Sequence, residues 1–278
     1  MVEKGPLVLD ALVRSPYVTT VARRVVGARQ LGQLVRLVPV LDALSDLPGG
    51  TLLDVGSGAL GMVDFLDAER WQVTALDESF GDYGAWVRPP ATEATRVVGD
   101  VRALPFEDRS FDVVVALDLL EHVPHADRGR ALGELGRVAR RRVIVAAPAG
   151  AEALEADRRL ARSLRHVPGW LTEHLDNGLP FPEDLAVPLR AFGPVRVAGN
   201  ESAAAHVTVT RRELGVAWFL PTRLAARVLA IGLRDRRPWA RAALARIRGF
   251  DRPPVYRTVV VAEIAASISS SSSAASAS

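Results

Sequence analysis

Four acids, Asp54, Asp77, Asp100 and Asp118, each stand at or just past the end of a short apolar run. The first of them leads into Gly56-Ser57-Gly58-Ala59-Leu60-Gly61. Glycines at that spacing let a ligand come close to the backbone and turn free N–H groups toward it. The spacing alone is weak, because the chain holds 22 glycines and ordinary tight turns collect them. Asp54 sharpens it. A carboxylate two residues before the first glycine repels a pyrophosphate and attracts an ammonium group. The chemistry therefore points away from a dinucleotide and toward a ligand with a cationic end.

The runs that carry these acids read as strands. Leu52-Leu53-Asp54-Val55 is a buried strand, Gln72–Leu76 a second and Thr95–Val98 a short third. Phe111–Leu117 is a continuous β-branched run, expected of a central parallel strand covered on both faces. Arg142–Ala147 is a fifth strand, stopped by Pro148. Met62–Arg70 and Ala126–Arg140 read as the helices between them. This alternation predicts a doubly wound α/β sheet, in which ligands lie outside the carboxyl ends of the strands. The four acids would then converge on one crevice.

Composition narrows the class. The chain has 278 residues, 49% hydrophobic and 24% charged, ordinary for a globular enzyme with a sizeable core. No apolar run reaches the ~18 residues that span a bilayer, and the first residues lack a signal peptide's basic start and apolar stretch. There is no cysteine, which excludes disulfides and thiolate metal sites. Cytoplasmic residence is the expectation. Net charge is +3, and the basic residues are arginines apart from Lys4.

Outside this core the pattern changes. Residues 7–47 read as helical, kinked or divided at Pro39 and packed against the sheet edge, with Arg14 and Tyr17 as candidates for a lid. Glu152–Arg165 is a charged helix, 166–182 a loop-rich stretch holding His166, Trp170, Glu173 and His174, and Glu183–Ala191 a helix. Val195–Ala198 and Thr258–Ile264 are strands that flank a helical insertion at 200–254, divided near Pro238. Arg227, Arg234, Arg241 and Arg248 recur there every seven residues, with Leu224, Val228 and Ile231 on another face. Three readings stay open for that face: a solvated surface, a clamp for an acceptor phosphate or carboxylate, and contact with an anionic membrane through 215–248, aided by Trp218, Phe219, Leu220 and Trp239. Nucleic acid is not expected, since the arginines are not interleaved with stacking aromatics. Ser267–Ser278 is a serine/alanine tail that should be disordered.

Four motifs in order resemble one family. Leu52–Gly58 looks like motif I of the class I S-adenosylmethionine-dependent methyltransferases. Asp77 falls where that family's second strand ends in an acid that holds the ribose, and Gly99–Phe106 resembles its adenine-binding segment. Ser110–Pro124 resembles motif IV and the following helix start of the small-molecule, type 11 branch. The resemblance covers about residues 50–148 and implies a seven-stranded Rossmann-like sheet, order 3-2-1-4-5-7-6, with strand 7 antiparallel. It also implies S-adenosyl-L-methionine as cofactor, held by Asp54, Gly56 and Gly58 at the methionine end, Asp77 at the ribose and Asp100 with Val101 at the adenine, with Ser57, Glu78 and Leu117 as further cofactor-binding residues. Two departures stand out: Ala59-Leu60-Gly61 alters the motif I loop, and Arg137–Arg142 lacks the usual Pro-Gly-Gly turn before strand five.

The expected architecture is one domain over 1–266. It comprises a helical cover at 1–48, the cofactor-binding core at 50–148, acceptor-side loops and insertion at 149–254 and a last strand at 255–266. Methyl transfer to a small-molecule or lipid-linked acceptor is the expected reaction. An acceptor hydroxyl or ammonium needs a base, for which His122 and His174 are candidates, each also readable as a packing residue. His166, Glu173 and His174 do not have a metal site's spacing, and no metal is expected. Two other functions stay in view: a binding or regulatory protein on a degenerate methyltransferase fold, and an NAD(P)-dependent oxidoreductase.

Overall fold

The run Phe111–Leu117 forms the middle of the sheet because its side chains find apolar cover on both sides. Val113 and Val115 face one layer, and Val114 and Ala116 the other, all fully buried. The computed structural model describes residues 31–58, 61–80, 94–214, 224–225, 228–229, 231–232, 237–248 and 251–265. The strands are β1 (Gly50–Val55), β2 (Trp71–Asp77), β3 (Ala94–Val98), β4 (Phe111–Leu117), β5 (Ala139–Pro148), β6 (Val195–Ser202) and β7 (Val255–Glu263). They form one sheet in the order β3-β2-β1-β4-β5-β7-β6, with β7 antiparallel to both β5 and β6. The expected topology is the observed one.

Seven helices are described: α1 (Leu31–Ala43), α2 (His125–Val138), α3 (Ala151–Ser163), α4 (Gly169–Asn177), α5 (Pro182–Ala186), α6 (Ala203–Glu213) and α7 (Pro238–Arg248). α1 lays Leu37, Val38 and Val40 on the face that includes Leu52, Val73, Val113 and Ile144, so it covers a face of the sheet, and it also meets the edge strand β6, where Asn200 Nδ2 donates to the Val35 carbonyl at 3.3 Å. It runs on through Pro39: burial of Val35, Leu37, Val38 and Val40 outweighs the hydrogen bond that proline removes. α2 and α5 cover the opposite face through Ala131, Leu132, Leu135 and Leu185. Among the described residues no helix is long and apolar enough to cross a membrane. Arg14, Tyr17, residues 215–223 and the 267–278 tail lie outside the described residues, as do Arg227 and Arg234 of the seven-residue arginine series.

Three further expectations need correction. Met62–Arg70 is not a helix; it holds a single 3₁₀ turn, Val63–Phe65. The connection must return along the six residues of β1, about 20 Å, and ten helical residues from Gly61 to Arg70 would rise only about 15 Å. Met62, Val63, Phe65 and Leu66 are all buried. Residues 166–182 are not all loop, for α4 carries Leu171 and His174 into the interior. The missing Pro-Gly-Gly turn is replaced by a direct passage from α2 into β5 at Ala139, three residues earlier than the hydropathy pattern indicates. Two of those extra residues are arginines with an acid to meet: Arg140 and Arg141 pair with Asp112 at 3.2 and 3.3 Å, and next to them Arg142 pairs with Asp46 and Glu263 at 2.7 and 2.8 Å.

The α2 interface gives a stability test. A Cβ at Gly136 would lie 2.3 Å from the Phe192 ring, whereas one at Gly129 would meet nothing within 4 Å. Gly136→Ala is expected to lower the unfolding free energy by about 1–3 kcal/mol through overpacking. Gly129→Ala should raise it by about 0.5–1 kcal/mol through helix propensity. Urea denaturation of the two variants measures both.

Candidate functional site

The carboxyl ends of β3, β2, β1 and β4 stand side by side, with Asp77 opposite Val98 and Val55 opposite both Leu76 and Ala116. The glycine turn leaves β1 there. Gly56 has φ +70°, and a Cβ on it would strike the Leu119 side chain at 2.8 Å. Gly61 has φ +47°, and a Cβ on it would lie 3.0 Å from Asp54 Oδ2. Both positions thus need glycine for backbone conformation and for room.

Two acids lash this turn to the sheet. Asp54 is buried at the end of β1, and its Oδ2 accepts the Met62 backbone N–H at 2.8 Å. Asp77 at the end of β2 accepts the Gly58 N–H at 2.8 Å through Oδ2 and the Ser79 N–H at 3.0 Å through Oδ1. Gly56 N–H donates to the Leu76 carbonyl at 2.8 Å, and Ser57 Oγ donates to the Gly58 carbonyl at 3.2 Å. A small cleft beside the turn is lined by Asp54, Ser57, Gly58, Gly61, Phe80 and Arg96. Burial pushes the Asp54 carboxyl up to about 6, against the opposing pull of the Met62 N–H and Arg36.

The other expected cofactor residues are placed less uniformly. Glu78 is exposed and Val101 buried, and Leu117 ends β4 half-buried beside the turn. Asp100 follows Gly99, whose N–H donates to the Asp77 carbonyl at 3.0 Å. Its carboxylate is already engaged: Arg102 donates from Nε to both oxygens at 3.0 and 2.9 Å and from its backbone N–H at 2.8 Å. That guanidinium holds the Asp100 carboxyl below its usual range.

Past β4 the crevice is walled by a charged network that the residue spacing did not reveal. Asp118 meets the Arg257 guanidinium with both oxygens, at 2.7 and 3.0 Å, and Arg36 of α1 at 3.0 Å. Arg257 also donates to Glu201 at 3.0 Å. Burial opposes ionisation of Asp118, but the two arginines prevail and hold its carboxyl far below the normal value. Glu201 is likewise lowered despite burial, by His206 and Arg257.

His122 and His174 come together, their ring centroids 5.4 Å apart. His122 Nδ1 lies 2.7 Å from Glu173 Oε2, and His174 Nδ1 lies 2.9 Å from Asp157 Oδ2. Asp157 also accepts the Tyr256 hydroxyl at 2.9 Å. Sequence reasoning passed over Asp157, although a signal was present. It shares the face of α3 with Ala153, Ala156 and Leu160, so an acid stands on the helix's apolar side.

Comparison with known proteins agrees with this geometry. Residues 53–147 match a family model described as "Methyltransferase domain", type 11. Magnesium protoporphyrin IX methyltransferase from Synechocystis, solved with bound S-adenosylhomocysteine, is similar at 16% identity. The match covers 93% of this chain and 99% of that one, with a TM-score of 0.50. A phosphoethanolamine N-methyltransferase from Haemonchus contortus is similar at 17% identity over 92% of this chain and 59% of that one, with a TM-score of 0.53. At these identities the solved structures show the fold.

Asp54 yields a pH test. Its carboxyl is raised from 3.8 to about 6 in the folded chain, so the native state binds the extra proton. Stability then falls as pH rises between about 4 and 6, by about 3 kcal/mol in all. Asp54→Asn should lack that fall. Its stability relative to the wild type is expected to rise across this window and to level off above it, as read by urea denaturation at each pH.

Proposed function

We propose, from the premise that residues 53–147 are a class I S-adenosylmethionine-dependent methyltransferase domain of the type 11 branch, that this chain transfers a methyl group to a small-molecule acceptor seated at the carboxyl end of β4. The observation that carries the proposal is the pair of acids at the ends of neighbouring strands. Asp54 and Asp77 fold the glycine turn, and Asp77 is left half-buried at the mouth of the crevice. The residues fit the cofactor. Carboxylate oxygens suit ribose hydroxyls, and Gly56, Ser57 and Gly58 offer a backbone that admits close approach. When bound, S-adenosylmethionine supplies a methyl carbon already activated by its sulfonium.

The protein's own part is to position and to exclude water. Asp77 would exchange the Gly58 N–H for ribose hydroxyls. Asp54 keeps the loop closed over the methionine end, and its charge favours the ligand's ammonium group. Leu117 and Leu119 supply an apolar wall beside the turn. Asp100 serves the adenine amino group only if it shares its carboxylate with Arg102, whereas Val101 packs beneath the ring.

Where the acceptor carries a proton that must leave, His122 is the group placed to take it. Its Nδ1 is held by Glu173, which leaves Nε2 to act, and its side chain is 34% exposed. His174 is buried behind it and orients the same pocket. A lipid-linked acceptor is a second reading. It is favoured by Leu224, Val228, Ile231 and Trp239, large apolar side chains each about half exposed on the insertion.

Calorimetric titration with S-adenosylhomocysteine tests the central proposal. Micromolar binding is expected for the wild type, weakened at least 100-fold in Asp77→Ala. A wild type that binds no S-adenosylhomocysteine would favour the degenerate-fold reading, and binding of NADH in its place would favour the oxidoreductase.

A further inference from the structure

Among the described residues, one carboxyl in the interior makes no hydrogen bond. Glu121 is 1% exposed, and neither carboxylate oxygen makes a hydrogen bond. A buried carboxyl left in that state is costly. Nε2 of His174 lies 4.0 Å from Glu121 Oε1, too long for a hydrogen bond. Ligand atoms of Glu121, His122 and His174 all lie within 4.8 Å of one another. Ligands 2.0–2.2 Å from a shared ion stand at most about 4.4 Å apart, so small side-chain rotations would close the set.

The surroundings of the two imidazoles add a second, independent observation. Each ring has its Nδ1 on a carboxylate, His122 on Glu173 and His174 on Asp157. That arrangement fixes the tautomer with the proton on Nδ1 and frees the Nε2 lone pair. It is the support that metal-ligating histidines require. Asp157 is itself held by the Tyr256 hydroxyl, so the inner half of the set is rigid before any ligand arrives. His122, at the exposed end, gives a route in from solvent.

We propose that Glu121, His122 and His174 bind one divalent transition-metal ion, with Glu173 and Asp157 as the carboxylates that orient the two rings. Two imidazoles and one carboxylate suit zinc, cobalt, nickel or iron(II) better than magnesium or calcium, which prefer all-oxygen sets. Three protein ligands leave at least one coordination position open. Glu121 and His122 follow the end of β4 directly, so the open position belongs to the acceptor side of the crevice. An acceptor oxygen or nitrogen could occupy it, and proton loss from such a bound group would then not need His122 as a base.

The test uses the full chain stripped with EDTA and titrated with Co2+, whose visible d–d bands report the ligand set, followed by displacement with Zn2+. One Co2+ per chain is expected, with bands of a low-coordinate nitrogen/oxygen site. Glu121→Gln keeps the shape of the buried side chain, and His122→Ala sits at the exposed end. Each should weaken Co2+ binding at least 100-fold, and Glu173→Gln should weaken it about 10- to 100-fold. Circular dichroism and S-adenosylhomocysteine titration of the same variants check folding. The proposal is overturned if the wild type binds no Co2+, or if folded Glu121→Gln and His122→Ala bind it as the wild type does. That result leaves the methyl-transfer reading standing, because S-adenosylhomocysteine binding is measured separately.

Discussion

The contact between Arg257 and Asp118 is the one on which the crevice depends. Asp118 and Glu201 are non-glycine residues with left-handed backbones, φ +47° and +59°. Each such residue stores about 1–3 kcal/mol unless its surroundings over-determine it. Here both aim a carboxylate at one buried guanidinium, and Asp118 takes a second from Arg36. Through that cluster β4, β6, β7 and α1 are tied at one end of the sheet. Buried ion pairs add little net stability but are costly to break, about 3–5 kcal/mol when one partner is removed. Their effect is to fix where the chain goes after β4, and so where Leu119, Glu121 and His122 stand.

On the opposite side of β1 the constraint is lighter and of another kind. The glycine turn is held by single hydrogen bonds from backbone N–H groups to Asp54 and Asp77. A ligand can compete for Asp77, which is half-buried, but hardly for Asp54, which is enclosed. In the proposed reading the crevice joins an acceptor side locked by ions to a cofactor side whose acid can exchange partners. That division suits a reaction in which the protein mainly aligns two bound molecules.

Much of this fold was legible in the chain. β4 announces itself by seven residues of which only Asp112 is polar, and the four strand-end acids mark the crevice. The sheet order came through the family resemblance, because periodicity alone does not say which strands are neighbours. The Met62–Arg70 connection misled because its apolar spacing is helical, while a helix over that length rises less than the strand it runs back along. The early start of β5 was hidden by Arg140 and Arg141, whose partner Asp112 is distant in sequence. The Glu121–His122–His174 cluster was hidden for the same reason. Its members come from the end of β4 and from α4, and Asp157 behind them from α3, so only the packing of α4 on α3 brings them together.

A crystal structure of the chain grown with S-adenosylhomocysteine would test the central claim most directly. The account predicts density for the ligand across the carboxyl ends of β1 and β2, with the ribose hydroxyls within hydrogen-bond distance of Asp77 and the amino-acid end against Gly56–Gly58. A ligand bound elsewhere, or an Asp77 still bonded to the Gly58 N–H with the crevice empty at saturating ligand, would contradict it.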